Sequence, residues 1–123
     1  MSGQEEALRK MLQELQTQAI TSSRSLSSTR TLLMSKEREK KLVQLTRGEL
    51  GLLDEKNGDR VYRGVGKMFV LESLKGTLGT LQAREKETSD DIVSLGKKLK
   101  YLENESAQAQ AGLKEIFEHQ KRQ

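Results

Sequence analysis

Apolar residues recur in a three-four alternation through both ends of this chain. In the carboxyl-terminal arm one seam position reads Leu71, Leu78, Glu85, Ile92, Leu99, Ser106 and Leu113, and the other reads Leu74, Leu81, Thr88, Leu95, Leu102, Ala109 and Ile116. The amino-terminal arm carries a thinner version: Leu12, Ala19, Leu26, Leu33 and Lys40, interleaved with Leu8, Leu15, Ser22, Thr29, Lys36 and Val43. Such spacing keeps one stripe of a helix facing a partner helix. The pattern predicts a mainly α fold: a long antiparallel coiled-coil hairpin of two helices, joined by a short linker with one β-hairpin. A single domain over 1–123 would hold an amino-terminal arm over about 4–46, a short helix, turn and β-hairpin over 47–71, and a carboxyl-terminal arm over 72–120.

The helical period breaks in the middle. Strands are predicted from Arg60 to Val65 and from Met68 to Leu71, with the glycines of Gly64-Val65-Gly66 supplying a tight turn or bulge. An isolated pair of strands is barely stable in water and leaves both edges unpaired, so further strands are expected from partners. Ser2 with Glu5 and Thr46 with Glu49 both have capping-box spacing. The first offers a start for the long helix. The second would begin a short turn carrying Leu50 and Leu53 before Asn57-Gly58-Asp59 reverses the chain. Gly48 and Gly51 stand where helix formers are wanted and leave the end of the first helix open.

Two registers of the antiparallel pair are plausible. One sets Ala19 opposite Leu102, Ser22 opposite Leu99 and Lys36 opposite Glu85; the other sets Leu12 opposite Ile116 and Lys36 opposite Ile92. The first is preferred, because the second strands a charge against an apolar residue. Gly76, Gly79, Gly96 and Gly112 each weaken the second helix by about 1 kcal/mol relative to Ala. Gly96 and Gly112 read as tolerated surface glycines, with local bending as the alternative.

Composition narrows the chemistry. Ala, Glu, Lys, Leu and Arg make up about half of the chain, and there is no proline, as expected of long helices. The net charge of +4 comes from 22 basic and 18 acidic residues dispersed along the arms, without the dense basic stripe that nucleic acid requires. Cysteine is absent, which excludes disulfides and thiolate chemistry. No run is apolar enough to span a bilayer or to serve as a signal peptide, and residue 2 is Ser2 rather than the glycine that myristoylation needs. The expected setting is the cytosol or the nucleus, with no membrane and no nucleic acid as partner.

Enzyme motifs are missing. A dinucleotide fingerprint would need glycine where Phe69 stands, and a Walker loop would need Ser or Thr where Met68 follows Lys67. His119 reads as a frayed surface histidine rather than a general base. Asp90 and Asp91 read as solvated helix faces, and Asn104-Glu105-Ser106 as a chance glycosylation pattern.

The order heptad arm, strand hairpin, heptad arm resembles the prefoldin family, and within it the beta-type subunits. Val61-Tyr62-Arg63-Gly64-Val65-Gly66-Lys67-Met68-Phe69-Val70-Leu71 looks like their hairpin signature, in which a Val-Tyr pair leads to Val-Gly, a basic residue and Met-Phe-Val/Ile-Leu. Leu50 to Asp54, and Lys97 to Glu103 with Tyr101-Leu102-Glu103 inside it, also look familial. The resemblance covers the whole chain, with a specific motif and generic arms. It implies a heterohexameric co-chaperone in which hairpins of two alpha-type and four beta-type subunits close a double β-barrel platform. Coiled coils would hang from that platform.

The partners so implied are two alpha-type and three further beta-type subunits, unfolded clients such as nascent actin and tubulin, and the cytosolic chaperonin. No nucleotide or other cofactor, no metal and no catalytic residue is implied. Assembly would rest on Val61, Tyr62, Gly64, Val65, Gly66, Met68, Phe69, Val70 and Leu71. Client contact would fall to the arm tips, Leu8, Met11, Leu12, Leu15, Leu113, Ile116 and Phe117. Met11 and Phe117 lie outside the strict seam and should stay reachable in a zipped coil; the other five could equally close its terminal turns. The alternative is a structural coiled-coil adaptor without clients, which leaves the strand segment without a role.

Overall fold

The computed structural model describes residues 2–122, with side chains over 3–121. Helix α1 spans Ser2–Leu50, strand β1 Val61–Val65, strand β2 Met68–Glu72 and helix α2 Leu74–Arg122. A 3₁₀ turn, Glu55–Asn57, lies between α1 and β1. α1 thus extends a few residues past the arm expected over 4–46, while α2 starts two residues later and ends two residues beyond the arm expected over 72–120. Among the described residues no helix is long and apolar enough to cross a membrane. The chain forms two compact units: residues 34–94, and residues up to 33 together with those from 95 onward.

In the 34–94 unit the helices run antiparallel. Arg47 closes on Glu85 Oε2 at 2.7 Å, Gln44 donates to Glu85 Oε1 at 3.0 Å, and Lys36 Nζ lies 3.4 Å from Asp91. Ascending α1 therefore descends α2. Val43 and Thr88 are buried at the seam, where the Thr88 hydroxyl is satisfied by the Arg84 carbonyl at 2.8 Å. These contacts overturn the preferred register. Lys36 sits beside Asp91 rather than Glu85, as the rejected alignment with Ile92 requires. The lysine stem follows the seam while its ammonium reaches out to Asp91 and to Glu39, 3.7 Å away, so no charge is stranded.

The second unit agrees with that alignment. A methyl group at Gly112 would sit 3.6 Å from both Leu15 methyls, and Arg30 lies 3.5 Å from Glu103. Ser22, Thr29, Leu102, Ser106 and Ala109 are its buried residues. The small side chains of Ser22, Thr29, Ser106 and Ala109 let two helices approach closely without a thick apolar core. Gly96 and Gly112, expected on the surface, are both half-buried.

Two local expectations also change. Thr46 starts no helix: α1 runs through it, and its hydroxyl donates back to the Leu42 carbonyl at 2.8 Å. The Ser2–Glu5 capping box lies outside the described side chains. Leu71 belongs to β2 and is exposed, so the α2 seam begins at Leu74. His119 lies in the last turn of α2 and is exposed, as expected of a surface histidine. α1 ends at Leu50, with the Gly51 N–H closing on the Arg47 carbonyl at 2.9 Å.

The linker is held by carboxylates. Asp54 caps the 3₁₀ turn by accepting from the Lys56 N–H at 2.9 Å, and Asp59 accepts from the Asp54 N–H at 2.8 Å. Gly58 ends the turn at φ +88°, a left-handed conformation that favours glycine. The Glu55 carboxylate accepts from the Leu74 N–H, tying the turn to the first residue of α2. Ser73 caps the same helix end, its hydroxyl accepting from the Gly76 N–H at 3.1 Å.

Lys36→Glu and Asp91→Lys should each lower the unfolding midpoint, and the double reversal should recover part of the loss. Without recovery, this register is wrong. The Asp91 hydrogen bond and then the Glu39 charge raise the Lys36 pKa above its ordinary value of 10.5, so this contribution is complete at neutral pH and fades only in alkali as pH rises through the raised value. Gly79→Ala has open space for its methyl and should stabilise the chain by about 1 kcal/mol in urea unfolding. Gly76→Ala should gain almost nothing, because its methyl would come within 2.7 Å of the Ser73 hydroxyl and displace a cap that contributes about as much.

Candidate functional site

The hairpin concentrates the chain's exposed apolar side chains. Its register pairs Val61 with Glu72, Tyr62 with Leu71, Arg63 with Val70, Gly64 with Phe69 and Val65 with Met68. Gly66 and Lys67 form the turn. Gly66 has φ +61° and, among the described residues, no non-glycine residue has positive φ, the signs of a type II′ turn, which suits the twist of the strands. The strand bounds expected from sequence differ from those observed by one residue at each outer end.

Alternation assigns the two faces. Tyr62, Gly64, Phe69 and Leu71 share one, which is apolar apart from the phenol. The Phe69 ring edge lies 3.8 Å from where a Gly64 methyl would be, so the ring lies over its cross-strand glycine. Val61, Arg63, Val65, Met68, Val70 and Glu72 share the other. There Arg63 Nε pairs with Glu72 at 2.7 Å, a diagonal ion pair at the root of the hairpin. Phe69 is 76% exposed, and Tyr62, Val65, Met68, Val70 and Leu71 are exposed as well. A cleft of about 450 Å³ separates the root from the helices, with Val61 and Tyr62 on one wall and Thr46, Leu50 and Leu81 on the other.

This sheet has two strands and therefore two free edges. Each edge presents backbone N–H and C=O groups able to template a further strand. Of the nine hairpin residues named from sequence, eight lie on its strands and Gly66 lies in the turn between them. The Arg63–Glu72 pair was not foreseen; its signal was available, because a two-residue turn at Gly66-Lys67 sets those residues near each other across the strands.

At the terminal end of the other unit, Leu8, Leu12, Leu15, Leu113 and Ile116 are half-buried, as seam residues should be. Met11 is 55% and Phe117 46% exposed. A nearby cleft of about 590 Å³ runs from Lys10 to Ser22 and Glu105 and is lined by polar and charged residues, so the apolar surface at this end is that of Met11 and Phe117 rather than of the cleft. Among the described residues no group of three or more His, Cys, Asp or Glu could hold a metal ion.

Comparison with known proteins agrees with this geometry. The family model for prefoldin subunits matches residues 13–120. Prefoldin subunit 1 of Bos taurus is 31% identical over 111 residues, covering 89% of this chain and 88% of the relative. Prefoldin subunit 1 of Arabidopsis thaliana is 28% identical over 116 residues, covering 94% and 89%. The probable prefoldin subunit 1 of Schizosaccharomyces pombe is 29% identical over 111 residues, covering 90% and 97%. Gly64-Val65-Gly66-Lys67-Met68-Phe69 resembles the same subunit type. With a family match over most of its length, and a strand hairpin set between two long helices, the chain belongs to the prefoldin subunit family.

Proposed function

We propose that this chain is one beta-type subunit of a heterohexameric prefoldin co-chaperone, joined through its hairpin to two alpha-type and three further beta-type subunits. The observation that carries this reading is the hairpin itself. It has two free edges and apolar side chains exposed on both faces. Such a surface is an aggregation hazard in an isolated chain and an assembly surface in a complex.

Capture of unfolded chains is assigned to the terminal ends of the helices, with Met11 and Phe117 making direct contact and Leu8, Leu12, Leu15, Leu113 and Ile116 contributing where the last turns open. A flexible Met and an exposed Phe suit a surface that must accept many sequences. Each contact is weak, and affinity comes from several subunits engaging one client at once. Capture needs no nucleotide. The clients proposed are nascent actin and tubulin, passed on to the cytosolic chaperonin, which puts the work in the cytosol and secondarily in the nucleus. The adaptor reading gives the hairpin no role and is set aside.

Phe69→Asp should remove this chain from the six-subunit complex seen by native mass spectrometry, while circular dichroism shows the helices intact. A normal hexamer from that variant would defeat the assembly reading. Met11→Ser combined with Phe117→Ser should leave the hexamer intact and lower suppression of aggregation of a denatured client severalfold. Undiminished suppression would move client contact off these two residues.

A further inference from the structure

The hairpin joins α2 through one residue, Ser73, and a single residue contributes only two soft dihedral angles. On the side of the cleft walled by Thr46, Leu50 and Leu81, the hairpin root stands off from the helices. Neither the chain path nor that wall fixes the angle at which the strands leave α2. Two carboxylates do.

Glu55 holds the β1 side. Its backbone carbonyl accepts from the Gly58 N–H at 3.1 Å and from the Arg60 guanidinium at 3.4 Å, and Arg60 is the residue before β1. Its carboxylate crosses to the N–H of Leu74, the first residue of α2. The first turn of α2 has no acidic residue of its own, so the linker provides the negative charge that a helix N-terminus favours. Glu72 holds the β2 side. One of its oxygens pairs with Arg63 Nε of β1 at 2.7 Å, and the other accepts from the Thr77 hydroxyl of α2 at 3.1 Å. Glu55, Arg60, Glu72 and Ser73 line one cleft, so the two attachments adjoin. Each root of the hairpin is thus fastened to the first turn of α2 by a carboxylate.

We propose that Glu55 and Glu72 are positioning residues for assembly, holding the hairpin at one angle to α2 before a partner strand arrives. The proposal rests on the assembly reading above. A hairpin released from both carboxylates keeps its strand pairing and its turn but samples many angles. Only a fraction of these can accept a partner strand, and association slows by that fraction. In the completed sheet the partner strands hold the hairpin themselves, so dissociation does not change.

The test adds the full-length chain to the other prefoldin-type subunits from the same source. Native mass spectrometry follows formation of the six-subunit complex in time and, by exchange with isotope-labelled chain, its dissociation. Glu55→Ala combined with Glu72→Ala should slow formation about tenfold and leave dissociation unchanged. Glu55→Gln combined with Glu72→Gln keeps an amide oxygen to accept from the Leu74 N–H and from the Thr77 hydroxyl, and should recover most of the rate. Formation of the Ala pair at the unaltered rate overturns the proposal, as does a Gln pair as slow as the Ala pair. Faster dissociation of the Ala pair also overturns it, because the carboxylates would then contact the partner directly. So does a loss of helix in the Ala pair by circular dichroism, because the carboxylates would then hold α2 itself. If the unaltered chain forms no six-subunit complex, the assembly reading fails and takes the proposal with it.

Discussion

The structure depends on an incomplete sheet. Two five-residue strands satisfy each other along one side only, and among the described residues no further strand pairs with the outer side of either. A buried backbone group without a partner costs about as much as a lost hydrogen bond, so these edges must stay in water or meet another strand. Yet the side chains beside them are valine, phenylalanine, methionine and leucine, which do not favour water. The pattern is resolved only by association, and the surrounding residues serve to present it. Gly66 supplies the tight turn, Arg63 and Glu72 pair across the root, and Ser73 and Glu55 fix where α2 begins.

The coiled coil obeys a different economy. Its buried residues include Ser22, Thr29, Thr88 and Ser106, and its seam also holds Lys36, Arg47 and Glu85. Most of the ion pairs that link the helices are partly exposed, so each contributes at most about 1 kcal/mol. Their value lies in choosing among alignments one heptad apart that would bury similar areas. Glu85 illustrates this: in the observed alignment it meets both Arg47 and Gln44. Shifted by a heptad it would lose both.

Much of this was legible in the sequence because it follows from periodicity. Every seam position from Leu8 to Val43, and from Leu74 to Ile116, is buried or half-buried, and the hairpin strands were placed to within a residue. What failed was of two kinds. The register was misjudged because Lys36 was treated as a point charge on the seam, whereas its long stem lets the ammonium leave the seam. Thr46 and Glu49 had the spacing of a cap, but that spacing is equally compatible with the interior of a helix, where a threonine hydroxyl can bond the carbonyl one turn back.

The combination sets what stability can mean for such a chain. Among the described residues few side chains are buried, and Tyr62, Val65, Met68, Phe69, Val70 and Leu71 of the hairpin are turned outward. Area removed from water is the main favourable term in folding, at about 25 cal/mol per Å². A large part of that area becomes available here only on association. Linkage then makes the folded state more stable as the concentration of partner subunits rises, and a chain made in excess of its partners is the less stable one. Membership in the prefoldin subunit family accounts for the hairpin, and the hairpin accounts for why such a chain is built to be completed by others rather than to stand alone.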